Sequence, residues 1–215
     1  MSTIEIPLFP LSVLFPNAVL PLHIFEPRYR QMVVDCQSMN KPMGIVLPRQ
    51  ESEFMHEVPC TVGTMAEIHG LEKLDDGRYL FNAVGTKRFR IVSEHHDKPY
   101  LSALVEPYED EAEPESGLKD LTQRAQRLFQ EYLEILLEPE SEQRVQTHAP
   151  KEPENLSYFI ASLLQTIDDE QKQRFLEMTS TSLRLSEEVE ILRREVPFMR
   201  EILSRNIPEE RTRLN

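Results

Sequence analysis

The sequence predicts an α+β protein, a partly open β barrel with one helix followed by a four-helix bundle. Three observations predict it. Up to about residue 105, apolar residues alternate or come in short runs bounded by Gly, Pro or Asp-Gly, which is the pattern of strands and turns. From residue 117 the apolar period lengthens to that of helices. Between the two, residues 106–116 (Glu-Pro-Tyr-Glu-Asp-Glu-Ala-Glu-Pro-Glu-Ser) hold two prolines and six acidic side chains, too polar to bury much surface. The expected organisation is a β domain over 1–107, an acidic linker over 108–116, a helical bundle over 117–207 and a tail over 208–215.

Strands are expected near 4–9, 12–15, 19–24, 43–48, 61–70, 79–85, 88–95 and 101–106. Pro7, Pro10, Pro16 and Pro21 interrupt the first of these, so that segment reads as short kinked strands with a tight turn at Phe15-Pro16-Asn17-Ala18. The one helix among the strands begins at Pro27, which suits a first turn. Its apolar face is Tyr29, Met32, Val33 and Cys36, and Asn40-Lys41-Pro42 ends it. Asp75-Asp76-Gly77 signals a hairpin turn, because glycine accepts the positive φ such turns need. Many short strands with one helix point to a barrel, since closure hides strand edges.

Beyond the linker, Leu118, Leu121, Ala125, Leu128, Tyr132 and Leu136 form one helical stripe. Residues 155–167 repeat the pattern, and a short helix from Glu170 to about Met178 is capped by Asp168 or Asp169. In the last helix Leu185, Val189, Leu192, Val196, Met199 and Leu203 alternate spacings of four and three. That seam can be satisfied inside one bundle or between two chains, so monomer and homodimer stay open. Pro197 lies within it and is expected to kink it near Arg193.

Net charge is −13 and falls unevenly: 10 basic against 13 acidic residues before residue 108, and 14 against 24 from there on. Such a balance repels phosphate backbones and argues against a nucleic-acid partner. The proline-broken N-terminal segment is expected to be neither a membrane anchor nor an export signal, and the cytoplasm is the expected location. Two cysteines, Cys36 and Cys60, are too few for a disulfide framework.

Two blocks of residues carry a family likeness. One is Pro7-Leu8-Phe9-Pro10-Leu11, Phe15-Pro16, Leu20-Pro21-Leu22 and Phe25-Glu26-Pro27-Arg28-Tyr29. The other is Val62-Gly63-Thr64-Met65-Ala66-Glu67-Ile68 with Val84-Gly85-Thr86-Lys87-Arg88-Phe89-Arg90-Ile91. Together they resemble the N-terminal, substrate-binding domain of Lon protease, a domain also found as stand-alone bacterial proteins and within cereblon. The resemblance implies a PUA-like barrel joined to a helical bundle, and a role in holding protein substrates. Where relatives usually have glycine after the second Phe-Pro, this chain has Asn17, which also tolerates left-handed backbone angles.

Lon's ATPase and serine protease machinery has no counterpart in the motifs. No Gly-x-x-x-x-Gly-Lys-Ser/Thr loop occurs, and Gly85-Thr86-Lys87 lacks the upstream glycine at the required spacing. About nine residues follow the bundle, too few for a catalytic domain. A non-enzyme is expected. Metal chemistry has little support, because His95 and His96 would point to opposite faces of a strand and Glu67 with His69 is one pair only. No cofactor is expected.

The binding candidates are therefore apolar and basic. Phe9, Phe15 and Phe25 are spaced so that not all need lie on one face, and any left exposed would suit an extended peptide added to a strand edge. Arg28 and Tyr29 belong to the same motif. Met55, among Glu51, Glu53 and Glu57, is the methionine expected to face solvent. In Lys87-Arg88-Phe89-Arg90, strand alternation places Phe89 in the core and sets Arg88 and Arg90 on the solvated side, able to attract an acidic segment such as the chain's own linker. The expected partners are unfolded or apolar protein segments, with a protease or chaperone as recipient. By analogy of fold alone, a small-molecule or RNA-binding sensor is the alternative.

Overall fold

The structure is a computed structural model that describes residues 3–49, 58–137 and 149–206. Its elements are β1 (Ile4–Pro10), β2 (Val19–Ile24), α1 (Pro27–Met39), β3 (Met43–Val46), β4 (Val62–Lys73), β5 (Tyr79–His95), β6 (Ser102–Pro107), α2 (Glu115–Leu137), α3 (Pro153–Leu163), α4 (Asp169–Glu177) and α5 (Thr181–Asn206). The class is α+β, and the described residues form one six-stranded sheet and five helices. None of these helices is long and apolar enough to cross a membrane.

Two compact units emerge, Met1–Glu111 with Ala161–Thr179, and Ala112–Ile160 with Ser180–Asn215. Against 1–107 and 117–207, this division sorts α4 and the end of α3 with the strands.

The sheet runs β2-β5-β4-β3-β1-β6, and β5 also pairs with β6. Five strands thus close on themselves through β5, whose first half carries β2 (Tyr79 to Val84) and whose second half carries β6 (Phe89 to His95). All pairings are antiparallel except β1 with β3, whose connection contains α1. Inside the ring Ile6, Leu8, Val46, Phe89, Ala103 and Val105 are fully buried. A second cluster packs Tyr29, Met32, Val33 and Cys36 of α1 onto Leu22, Ile24, Ile45, Phe81 and Ala83. Burial pushes the Cys36 thiol up to about 12, which suits filler and not a nucleophile.

Two expected strands change. Residues 12–15 are not a strand, because they spend their backbone on other partners. Leu14 O accepts from Thr64 Oγ1 at 2.5 Å, and Phe15 O lies so near Gly85 that a Cβ there would sit 2.4 Å away. The turn that follows is present, with Ala18 N donating to Phe15 O at 3.1 Å and Asn17 at φ 64°. Segments 79–85 and 88–95 are one continuous strand: Gly85 pairs with Ala66 and Arg88 with Thr64, and a register shift between them absorbs the break in apolarity. The Asp76-Gly77 hairpin turn forms, with Gly77 at φ 82°.

Arg88 departs furthest from expectation. It is not solvated but 3% exposed. Nη1 donates to Leu176 O at 2.6 Å and to Met178 O at 2.7 Å, Nη2 pairs with Asp110, and the guanidinium lies 4.9 Å from the Tyr108 ring centroid. The last carbonyls of α4 are electron-rich orphans that favour a cation. The acidic segment supplies its counterion. Gln173 adds a second tie, its Nε2 donating to Val62 O at 3.0 Å. These bonds explain why α4 belongs to the strand unit.

In the second unit α2 packs on α5. Ala125, Phe129, Tyr132 and Leu133 are buried on the first helix, and Leu185, Val189, Leu192 and Val196 on the second, so most of the regular seam is satisfied within the chain. Among the described residues this unit holds α2, α5 and the first part of α3, one helix fewer than the bundle expected. Arg184 and Glu188 are fully buried on α5. Ser157 bridges them, accepting from Arg184 Nε at 2.7 Å and donating to Glu188 Oε1 at 2.9 Å.

Candidate functional site

The candidate residues do not gather in one place. Phe15 is 2% exposed and fills the turn against Gly85. Met55 lies outside the described residues. Arg88 is consumed as above, and Arg90 stacks on the other candidate cation's tyrosine, 4.5 Å from the Tyr108 centroid, with Glu106 at 3.9 Å. Phe9, Phe25, Arg28 and Tyr29 assemble around the junction of β2 and α1.

That junction follows from strand alternation. Leu22 and Ile24 point into the core, so His23 and Phe25 take the outer side, where their rings sit 6.1 Å apart. Phe25 is 62% exposed. On the same face His23 opposes Leu80 and Val19 opposes Val84 across the β2–β5 ladder, and Val19 and Leu80 are exposed too. Among the described residues β2 pairs with β5 alone, which leaves its other edge open. Pro21 marks that edge, since a residue without N–H fits a strand only where no ladder bond is required.

Immediately after Phe25, Glu26 caps α1 by backbone position only, its side chain making no cap bond, and Pro27 takes the first turn. The Glu26 carboxylate instead accepts from Arg28 Nε at 3.0 Å. Arg28 lies 4.6 Å from the centroid of Tyr29, and Tyr29 meets Phe9 edge to face at 4.5 Å. Phe9 and Tyr29 are thus the buried base on which Arg28 rests.

A cavity of about 230 Å³ opens here, lined by Arg28, Tyr29, His96, Lys98, Tyr100 and Leu101 among others. Its far wall is the bend between β5 and β6. Tyr100 is anchored by its hydroxyl, which donates to Asp35 Oδ2 at 2.5 Å, and burial with that acceptor raises its pKa. Lys98 Nζ stands 3.5 Å from Glu5 Oε1, and its positive charge holds the Glu5 carboxyl below the usual range. His96 faces Glu94 at 3.8 Å.

Sequence reasoning missed this wall. Its signal was Lys98-Pro99-Tyr100, a basic and aromatic bend between two strands, but its distance from Arg28 in the chain concealed the pairing. A larger cavity of about 840 Å³ runs along α2, lined chiefly by polar side chains such as Thr122, Gln126 and Gln130; none of the candidates lies in it. Among the described residues no group of three His, Cys, Asp or Glu is placed to hold a metal ion.

Comparison with known proteins bears on this surface. The family of the ATP-dependent protease La (LON) substrate-binding domain matches residues 5–194. Lon protease 2 of Myxococcus xanthus is 30% identical over 206 residues, covering 92% of this chain and 24% of that protein. The Lon protease of Anaeromyxobacter dehalogenans is 28% identical over the same shares. This chain therefore spans about a quarter of the length of those relatives. Among solved structures, the Lon N-terminal domain protein from Xanthomonas campestris aligns with a TM-score of 0.60 at 28% identity, over 86% of this chain and 96% of that one. The N-terminal domain of a Mycobacterium avium complex Lon protease aligns with a TM-score of 0.66 at 16% identity, over 88% and 98%, a likeness of fold.

Proposed function

The chain belongs to the Lon substrate-binding domain family, and on that premise we propose that it is a non-catalytic polypeptide-binding module acting in cytoplasmic protein quality control. It holds exposed apolar segments of client proteins at the β2–α1 junction and passes them to a protease or chaperone. The observation that carries this reading is Phe25, a large aromatic ring left 62% exposed beside an open strand edge. An extended client segment added along Val19–Ile24 would gain main-chain hydrogen bonds from the edge, and its side chains would meet Val19, His23, Phe25 and Leu80.

Such a site selects weakly among sequences, as a module for many clients must, because main-chain bonds are common to all of them. The α+β fold, alike to the solved Lon N-terminal domains, supports the reading. Fluorescence anisotropy of a labelled, permanently unfolded protein, titrated with the full chain, tests the reading. Saturable binding at tens of micromolar or tighter, little changed by added salt, is the expected result. No binding in that range would remove it.

A further inference from the structure

The cavity beside Arg28 has a chemistry that apolar client binding leaves unused. Three of its lining side chains, Arg28, His96 and Lys98, are cations or become so on protonation, and no Asp or Glu lines it. Their partners Glu26, Glu94 and Glu5 are not among the lining residues. The local net charge is therefore small, so any guest is selected by short-range hydrogen bonding and not by a long-range field.

Donors for such bonds are available. Arg28 commits Nε to Glu26, while Nη1 and Nη2 make no hydrogen bond among the described residues. Lys98 Nζ is held to Glu5 at 3.5 Å, a long contact that a closer acceptor can displace. The paired N–H groups of a guanidinium match the two oxygens of a carboxylate. Tyr29 and Tyr100, both buried, fix the walls. At about 230 Å³ the space is smaller than the roughly 300–1,000 Å³ of pockets for drug-sized ligands and has room for one side chain.

We propose that this cavity is a subsite for a carboxylate carried by the bound polypeptide, from an acidic side chain or the chain terminus, received by Arg28 and Lys98. The inference rests on the reading of the chain as a polypeptide binder. It adds a preference to that reading: among apolar segments, those with a carboxylate near the residue that meets Phe25 bind best.

The test uses the isotope-labelled full chain and three small probes, followed by nuclear magnetic resonance. N-acetyl-glutamate N-methylamide should shift the signals of Arg28, His96 and Lys98 at millimolar concentration, and the matching glutamine compound should not. N-acetylglycine carries a terminal carboxylate; shifts from it alone would assign the guest to a chain end, and shifts from the glutamate compound alone to a side chain. Arg28→Gln should weaken the carboxylate response about fivefold with the Tyr100 signals unmoved in the free protein. Shifts of equal size from the glutamate and glutamine compounds, or none from either carboxylate, would overturn the proposal. Unfolded-protein binding measured on the same sample separates the two ideas: client binding without carboxylate shifts sinks the subsite alone, and the reverse sinks the polypeptide reading alone.

Discussion

Arg28 and Arg88 are built from the same parts. Each lies over a tyrosine ring, at 4.6 and 4.9 Å, and each pairs with a carboxylate close by, Glu26 and Asp110. Their surroundings differ. Arg88 is enclosed by the carbonyls that end α4 and by the acidic segment, so its donors are spent on its own chain. Arg28 has about a third of its side chain in solvent, an exposed phenylalanine three residues before it and a cavity at its side. A basic, aromatic cluster is structural where the chain supplies its acceptors and available for binding where it does not.

Replacing the buried arginine breaks this comparison most forcefully. Arg88→Met should cost about 3–5 kcal/mol in urea unfolding, because it leaves Asp110 and two helix-end carbonyls buried without their donor. A loss under about 1 kcal/mol would mean that water replaces the guanidinium and that the enclosure is not what fixes α4.

A buried carboxyl group sharpens the rule. Glu188 receives one bond from Ser157, and its Oε2 has no hydrogen-bond partner among the described residues. Burial raises its pKa well above the ordinary 4.5. The folded state therefore holds a proton that the unfolded state releases from about pH 4.5 upward. Its stabilising contribution is complete below that value and is lost as pH rises through the folded pKa. Across that window the wild type should lose up to about 1.4 kcal/mol per pH unit relative to Glu188→Gln, measured as paired unfolding curves from pH 4 to 8. Parallel pH profiles for the two proteins would contradict this assignment.

Arg90 gives the smallest effect. It shares Tyr108 with Arg88 but keeps half its side chain in solvent, so Arg90→Gln should change stability by about 0.5 kcal/mol or less. A larger loss would show that the shared tyrosine depends on both cations.

Much of the fold is legible in the sequence because local signals act there without competition. Alternation places Phe89 in the core, Asn40 closes α1 in a left-handed conformation, and Asp168 caps α4 by accepting from Gln171 N at 2.8 Å. Legibility fails where distant residues decide. Strand alternation set Arg88 on the side away from Phe89 but could not reveal that α4, nearly ninety residues on, would cover it. Residues 12–15 carry strand-like apolarity, yet a threonine side chain and a glycine on other strands claim their backbone. At the candidate site the exposed phenylalanine and its arginine can be read from one motif. The opposite wall, Lys98 and Tyr100, cannot, because only closure of the ring through β5 and β6 brings it there.

The β2–α1 junction is open where the Arg88 cluster is closed, and on the proposed reading that opening takes clients. Phe25→Ser tests it most directly, through anisotropy titration of a labelled unfolded protein alongside thermal unfolding of the same samples. A stability change within about 0.5 kcal/mol is expected, since the ring is largely in solvent, with client binding weakened about tenfold or more. Unchanged client affinity in a folded Phe25→Ser protein would contradict the claim and move the binding surface elsewhere on the chain.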